Sequence, residues 1–128
     1  MRVRTVAVRV ALVALAATAA VWAVCNHRAV YVGGGSMAPA LTQGDLAVVR
    51  RGAAAVREGD VVLVAKAGWP AGVLHRVAAI NADGTLVLRG DFNPIADRDP
   101  ADPASVLGVV TLVVPTGRVL AAVEGAGR

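Results

Sequence analysis

Few side chains in this sequence could carry covalent chemistry. There are two serines: Ser36 lies in GGGSMAPALTQGDLAVVRR, residues 33–51, between three glycines and a methionine, and Ser105 stands before an apolar run and reads as a strand-start residue. A serine hydroxyl is a weak nucleophile until a base takes its proton, and that base must be held by a third group or tuned by its surroundings. The candidate bases are His27, His75 and Lys66. His27 sits next to Arg28 at the end of a long apolar segment and reads as polar flank. His75 sits inside the run 72–80, where a polar side chain costs free energy unless it is paired or working. Lys66 closes Val64-Ala65-Lys66-Ala67-Gly68 beside a turn. As a residue type, lysine is a cation at neutral pH unless strongly desolvated, whereas an imidazole changes charge near neutrality. Downstream of His75, the stretch 89–100 carries Asp91, Asp97 and Asp99 together with Asn93. Such residues favour turns for local reasons; they could also supply a carboxylate that accepts a hydrogen bond from His75 and fixes its tautomer, as in a Ser/His/Asp set.

The elements that must position these groups read as mainly β. Beyond Arg28, short apolar runs alternate with turn residues and no helical period is sustained. The runs are 46–50, 60–65 (after Glu58-Gly59), 72–80 (after the breaker Gly68-Trp69-Pro70), 85–88 and 106–114. Asn81-Ala82-Asp83-Gly84 predicts a hairpin between the third and fourth of them. Five short strands of this kind predict a small, mainly β, mostly antiparallel domain, a barrel or folded sheet. The layout expected is an anchor over 1–28, a β-rich domain over 29–115 and a C-terminal tail over 116–128. The tail has too few consecutive apolar residues to span a membrane and is expected on the bilayer surface or without order.

Residues 5–25 form an apolar run broken only by Arg9, long enough as a helix to cross a bilayer core. Arg2, Arg4 and Arg9 precede or edge it, which places the N-terminus in the cytoplasm and the body outside the cell membrane, a single-pass arrangement. Ala17-Thr18-Ala19 also fits a cleaved signal peptide. The uncleaved anchor is the better reading because apolar character continues to Val24. Either way the body is exported.

Composition narrows the function classes. At 128 residues, with 56% hydrophobic and 3% aromatic residues, the chain has one small domain whose core is built from alanine, valine and leucine. Its net charge of +4 is spread over scattered arginines without aromatic platforms between them, which argues against nucleic acid. The single cysteine, Cys25, cannot form an internal disulfide, and no Cys/His spacing suggests zinc. No cofactor or metal is implied.

The ordered set Ser36-Met37-Ala38-Pro39-Ala40-Leu41, Gly44-Asp45, Gly59-Asp60-Val61-Val62, His75-Arg76-Val77 and Gly90-Asp91-Phe92-Asn93 with Asp97 resembles type I signal peptidase. Histidine followed by Arg-Val at the base position matches the branch shared by archaea and the endoplasmic reticulum, in place of the lysine of the common bacterial branch. The resemblance implies a β-rich domain on the outer membrane face and a serine endopeptidase that cleaves signal peptides from exported preproteins, either the general pool or one dedicated substrate. It implies Ser36 as nucleophile, His75 as general base and Asp97 as orienting acid, with Asp91 a second candidate in a structural or supporting role. Met37 would pack beneath the nucleophile. One position departs from the pattern: Gly34 stands where family members carry a hydroxyl residue that helps hold the oxyanion. A non-catalytic exported binding or assembly factor with the same fold is the alternative that this departure keeps open.

Overall fold

The computed structural model describes residues 2–127. Helix α1 (Arg2–Asn26) runs without a linker into strand β1 (His27–Tyr31). Its Val3–Asn26 stretch has mean hydropathy 2.1 and none of it is buried inside the protein, so it is long and apolar enough to cross a membrane. The junction is stitched locally: Asn26 Nδ2 donates to Trp22 O, and His27 Nδ1 donates to Ala23 O, each at 2.9 Å. His27 is therefore part of the sheet and of the helix cap, and not merely polar flank.

The remaining strands are β2 (Leu46–Arg51), β3 (Val61–Lys66), β4 (Trp69–Ile80), β5 (Leu86–Arg89) and β6 (Val106–Val114). Together with β1 they form one six-stranded antiparallel sheet in the order β1-β2-β6-β3-β4-β5. The fold is thus mainly β, with one strand more than the apolar runs predict. The additional strand is β1, whose sequence, HRAVY, opens on two basic or polar residues and continues from the long helix without a turn signal.

β3 shows why the sheet has two buried faces. Val61 to Val64 are all buried, and their alternation sends Val61 and Leu63 to one face, Val62 and Val64 to the other. The first face is covered by Val32, Met37 and Leu41, the segment that carries Ser36. On the second, Val62 and Val64 pack with Val77, Leu86, Leu88, Val106 and Val109, and Ala53, Val56 and Ala101 pack against them. Each such side chain taken fully out of water contributes about 1.5–3 kcal/mol, which makes the apolar β3 the centre of the domain.

β4 begins earlier than expected, because Gly68-Trp69-Pro70 does not end pairing. Lys66 pairs with Trp69 and Val64 with Val73, so Pro70 to Gly72 bulge out opposite Ala65. Proline is tolerated there because a bulge needs no N–H from it. The β4–β5 turn is the predicted one: Asn81 N donates to Thr85 O, and Gly84 N to Asn81 O, both at 2.9 Å. Most of the tail is ordered, where the sequence left open a segment without order. Thr116–Ala126 forms helix α2, with no buried residue.

Candidate active site

His75 is buried near the middle of β4, opposite Val62 of β3. Its Nδ1 donates to Asp97 Oδ2 at 2.8 Å; the carboxylate can only accept, which leaves Nε2 as the atom able to take a proton. Asp97 lies 22 residues away in sequence and reaches His75 because the chain after β5 doubles back along that strand. Asp97 N donates to Leu88 O at 2.7 Å, and Leu86 and Ala101 exchange two backbone bonds of 2.8 Å. These backbone bonds tie a polar loop to β5 and so support the imidazole.

Asp91 does something else. Arg76, the next residue after His75, grips it with a two-pronged fork, Nε to Oδ1 at 2.7 Å and Nη2 to Oδ2 at 2.6 Å, while Nη1 donates to Gly59 O at 2.8 Å. The fork holds the Asp91 carboxyl below its ordinary value and raises that of the guanidinium. Asp91 thus ties the loop to β4 and to the β2–β3 connection, and Asp97, not Asp91, contacts the imidazole.

Ser36 opens the turn after Gly33-Gly34-Gly35, and the loop of Asp91 closes against it from outside. Phe92 N donates to Ser36 O at 2.9 Å. Gly90 is buried there, and a Cβ on it would stand 2.6 Å from Ser36 O and 2.8 Å from Asn93 Nδ2, so only glycine permits the approach. Met37, the next residue, is 2% exposed and enters the core. A Cβ at Gly34 would meet nothing within 4 Å, and no side-chain donor stands at that position.

A cleft of about 550 Å³ joins these parts, lined by Gly33 to Met37, with Ser36 among them, and by β4 from Ala71 to His75. Val30, Val32 and Leu63 add short aliphatic walls. Among the described residues the Ser36 hydroxyl makes no hydrogen bond; the structure sets it in one cleft with His75 without joining the two. Lys66 lines the same cleft, half exposed, with Nζ 3.6 Å from Asp97 Oδ2. A smaller cleft of about 230 Å³ is lined by His75, Lys66, Asp97 and Asp99 together with Ser105. The Ser105 hydroxyl there already donates to Asp102 O at 2.6 Å.

Sequence reasoning names Arg76 only within a motif and misses its function as the clamp on Asp91. The signal is present, since an arginine beside a histidine in an apolar strand needs an acidic partner as much as the histidine does. None of the curated proteins matches the chain. A family model described as peptidase S24-like matches residues 18–111, from the second half of α1 into β6, with Ser36, His75, Asp91 and Asp97 all inside the match. That family is related to the type I signal peptidases and supports a serine-peptidase-type fold. With most of its length inside the match, the chain belongs to the peptidase S24-like family.

Proposed function

We propose that this chain is a membrane-anchored serine endopeptidase of the signal peptidase I type, cleaving signal peptides from exported preproteins. The observation that carries this reading is the hydrogen bond between His75 and Asp97, on an imidazole that lines the same cleft as Ser36. Ser36 Oγ attacks the substrate carbonyl while His75 Nε2 takes its proton, and the Ser36 backbone N–H faces the oxyanion. The C–N bond then breaks as His75 returns the proton to the leaving amine, and water hydrolyses the acyl-enzyme by the same route. The hydroxyl and imidazole come into hydrogen-bond contact when substrate fills the cleft, as catalytic hydrogen bonds commonly tighten on binding. Asp97 fixes the imidazole, and Asp91 supports the loop through Arg76.

The substrate binds extended. β5 pairs with β4 only from Arg76 onward, so the first half of β4 leaves a backbone edge open beside the cleft. The aliphatic walls suit alanine-sized residues one and three positions before the cut. α1 supports a single-pass anchor, and Arg2, Arg4 and Arg9 support a cytoplasmic N-terminus with the β domain on the outer face.

Lys66 is the competing base because it shares the cleft and the carboxylate. His75 is preferred for its shorter hydrogen bond and an 8% exposed side chain, against 54% for Lys66. The unbonded Ser36 hydroxyl and the missing donor at Gly34 favour, as a second reading, a binding or assembly factor without turnover. Cleavage of a model preprotein in detergent separates these. Ser36→Ala and His75→Ala are expected to abolish it, and Lys66→Ala to retain it. Full activity in either of the first two variants rejects the assignment. Failure of Ser36 to react with a serine-directed acylating reagent favours the non-catalytic reading.

A further inference from the structure

The segment that carries Ser36 is held unevenly. On its N-terminal side Gly33, Gly34 and Gly35 are exposed, and a Cβ on any of them would meet nothing within 4 Å. The chain is next fixed on that side at Val32, which is buried and bonded to Gly44 and Asp45, so across the three glycines the serine is positioned mainly by the Phe92 contact and by residues 37–41. Met37 and Leu41 enter the core, and Leu41 N donates to Met37 O at 3.0 Å, so these residues form a compact turn.

The group that closes on that turn comes from the far end of the chain. Arg118, in the first turn of α2, donates from Nη2 to the carbonyls of Pro39 at 2.6 Å and Ala40 at 3.1 Å. Its Nε lies 3.8 Å from Oδ2 of Asp45. Asp45 is wholly buried, and its carboxylate is filled by Thr42 N, the Thr42 hydroxyl and Gly117 N at 3.0 to 3.1 Å. The Thr116 hydroxyl donates to Gly44 O at 2.6 Å. Gly117 packs so closely that a Cβ would collide with Gln43 O and stand 2.9 Å from Asp45 N. With a 3.5 Å bond from Arg118 Nε to the Thr42 hydroxyl, seven hydrogen bonds and an ion pair thus gather within the Pro39–Asp45 stretch and the start of one helix.

The rest of α2 shows that this is not general packing. None of its residues is buried or belongs to either core cluster, and Val119, Leu120 and Val123 are exposed. The helix touches the domain to hold the loop, and it lies wholly beyond the family match. We propose that Arg118 is a positioning residue for the Ser36 nucleophile, presented by Thr116 and Gly117 and braced by Asp45. This rests on the peptidase reading above. Two carbonyls shortly after the nucleophile are tied to one guanidinium, so its loss frees the serine to drift. A misplacement of about 1 Å costs on the order of a hundredfold in rate.

The test uses the full chain in detergent with a peptide spanning a signal cleavage site, and measures kcat, KM, the rate of acylation of Ser36 by a fluorophosphonate probe, and Tm. Arg118→Ala is expected to lower kcat and the acylation rate by about tenfold or more, with KM within twofold and Tm within a few degrees. Arg118→Lys, which keeps the charge and one donor, is expected to recover part of the loss. Should Arg118→Ala fail to fold, Arg118→Lys and Thr116→Val are read in its place and are expected to lower kcat and acylation in a folded protein. Wild-type rates in the folded variants, or a change confined to KM, overturn the positioning role. A wild-type chain that neither turns over nor labels at Ser36 overturns the peptidase reading and the positioning role with it. A wild-type chain that does both, with an unchanged Arg118→Ala, overturns the positioning role alone.

Discussion

Asp91 and Asp97 stand six residues apart in one loop and do different physical work. Asp97 accepts from the imidazole of a side chain 8% exposed, so in the proposed reaction its charge orients the ring and stabilises the imidazolium that forms. Asp91 accepts a bidentate fork from a guanidinium that is always charged, which is a tie between elements. Their amides are therefore expected to separate rate from stability. Asp97→Asn lowers kcat by roughly a hundredfold or more, through loss of the fixed tautomer and the negative charge, with little change in Tm. Asp91→Asn removes the charge-assisted pair and costs about 1 kcal/mol, discounted because the Arg76 side chain is 36% exposed. Its main effect is a lower Tm, with kcat reduced by much less than in Asp97→Asn. Steady-state kinetics and thermal melts on the two variants check this, and equal kcat losses would contradict the division.

At the scale of elements, the sequence discloses what apolar alternation and turn chemistry encode. Residues 60–65 read as a strand and lie almost wholly within β3, Asn81 to Gly84 read as the hairpin turn and form it, and residues 106–114 read as a strand and are β6. The features that escape such a reading depend on partners distant in the chain. β1 is a strand because Val30 and its neighbours pair with β2, α2 is fixed by groups 72 residues away, and Asp97 meets His75 through a loop bridged to β5. Ser36 and His75 are legible as types and by order, while the route by which one loop serves both is not. That route runs through Gly90, where Ser36 O, Phe92 N and Asn93 meet. Gly90→Ala places a methyl against a backbone oxygen that cannot swing away, so the loop or the serine must shift. Overpacking of this kind costs about 1–3 kcal/mol, and the displaced atom belongs to the nucleophile's own residue. The variant is expected to show both a lower Tm and a kcat reduced about tenfold or more; a chain melting and turning over like the wild type would show that the contact relaxes without consequence.

At the scale of the molecule, three carboxylates among the described residues are held below their ordinary range by the folded state, each at a different joint. Asp45 is lowered first by the Thr42 N–H and ties α2 to the nucleophile loop; Asp91 is lowered by the Arg76 fork and ties its own loop to β4; Asp83 is lowered by the Thr85 hydroxyl and closes the β4–β5 turn. A group whose pKa is depressed on folding favours the folded state while it is ionised. Its contribution is complete above the unfolded value of 3.8 and is lost as pH falls below that value through the lower folded one. Stability from these joints is therefore constant from neutral pH down to about pH 5 and then declines steeply, with the domain opening at the nucleophile loop as well as at the hairpin. Thermal unfolding followed by circular dichroism from about pH 7 to about pH 3 tests it. Asp45→Asn, which cannot gain or lose the proton, is expected to melt lower than wild type near neutrality and to lose less on acidification, so that the two curves converge at the acid end. Parallel curves across that range would mean that the buried carboxylate takes no part in the acid transition.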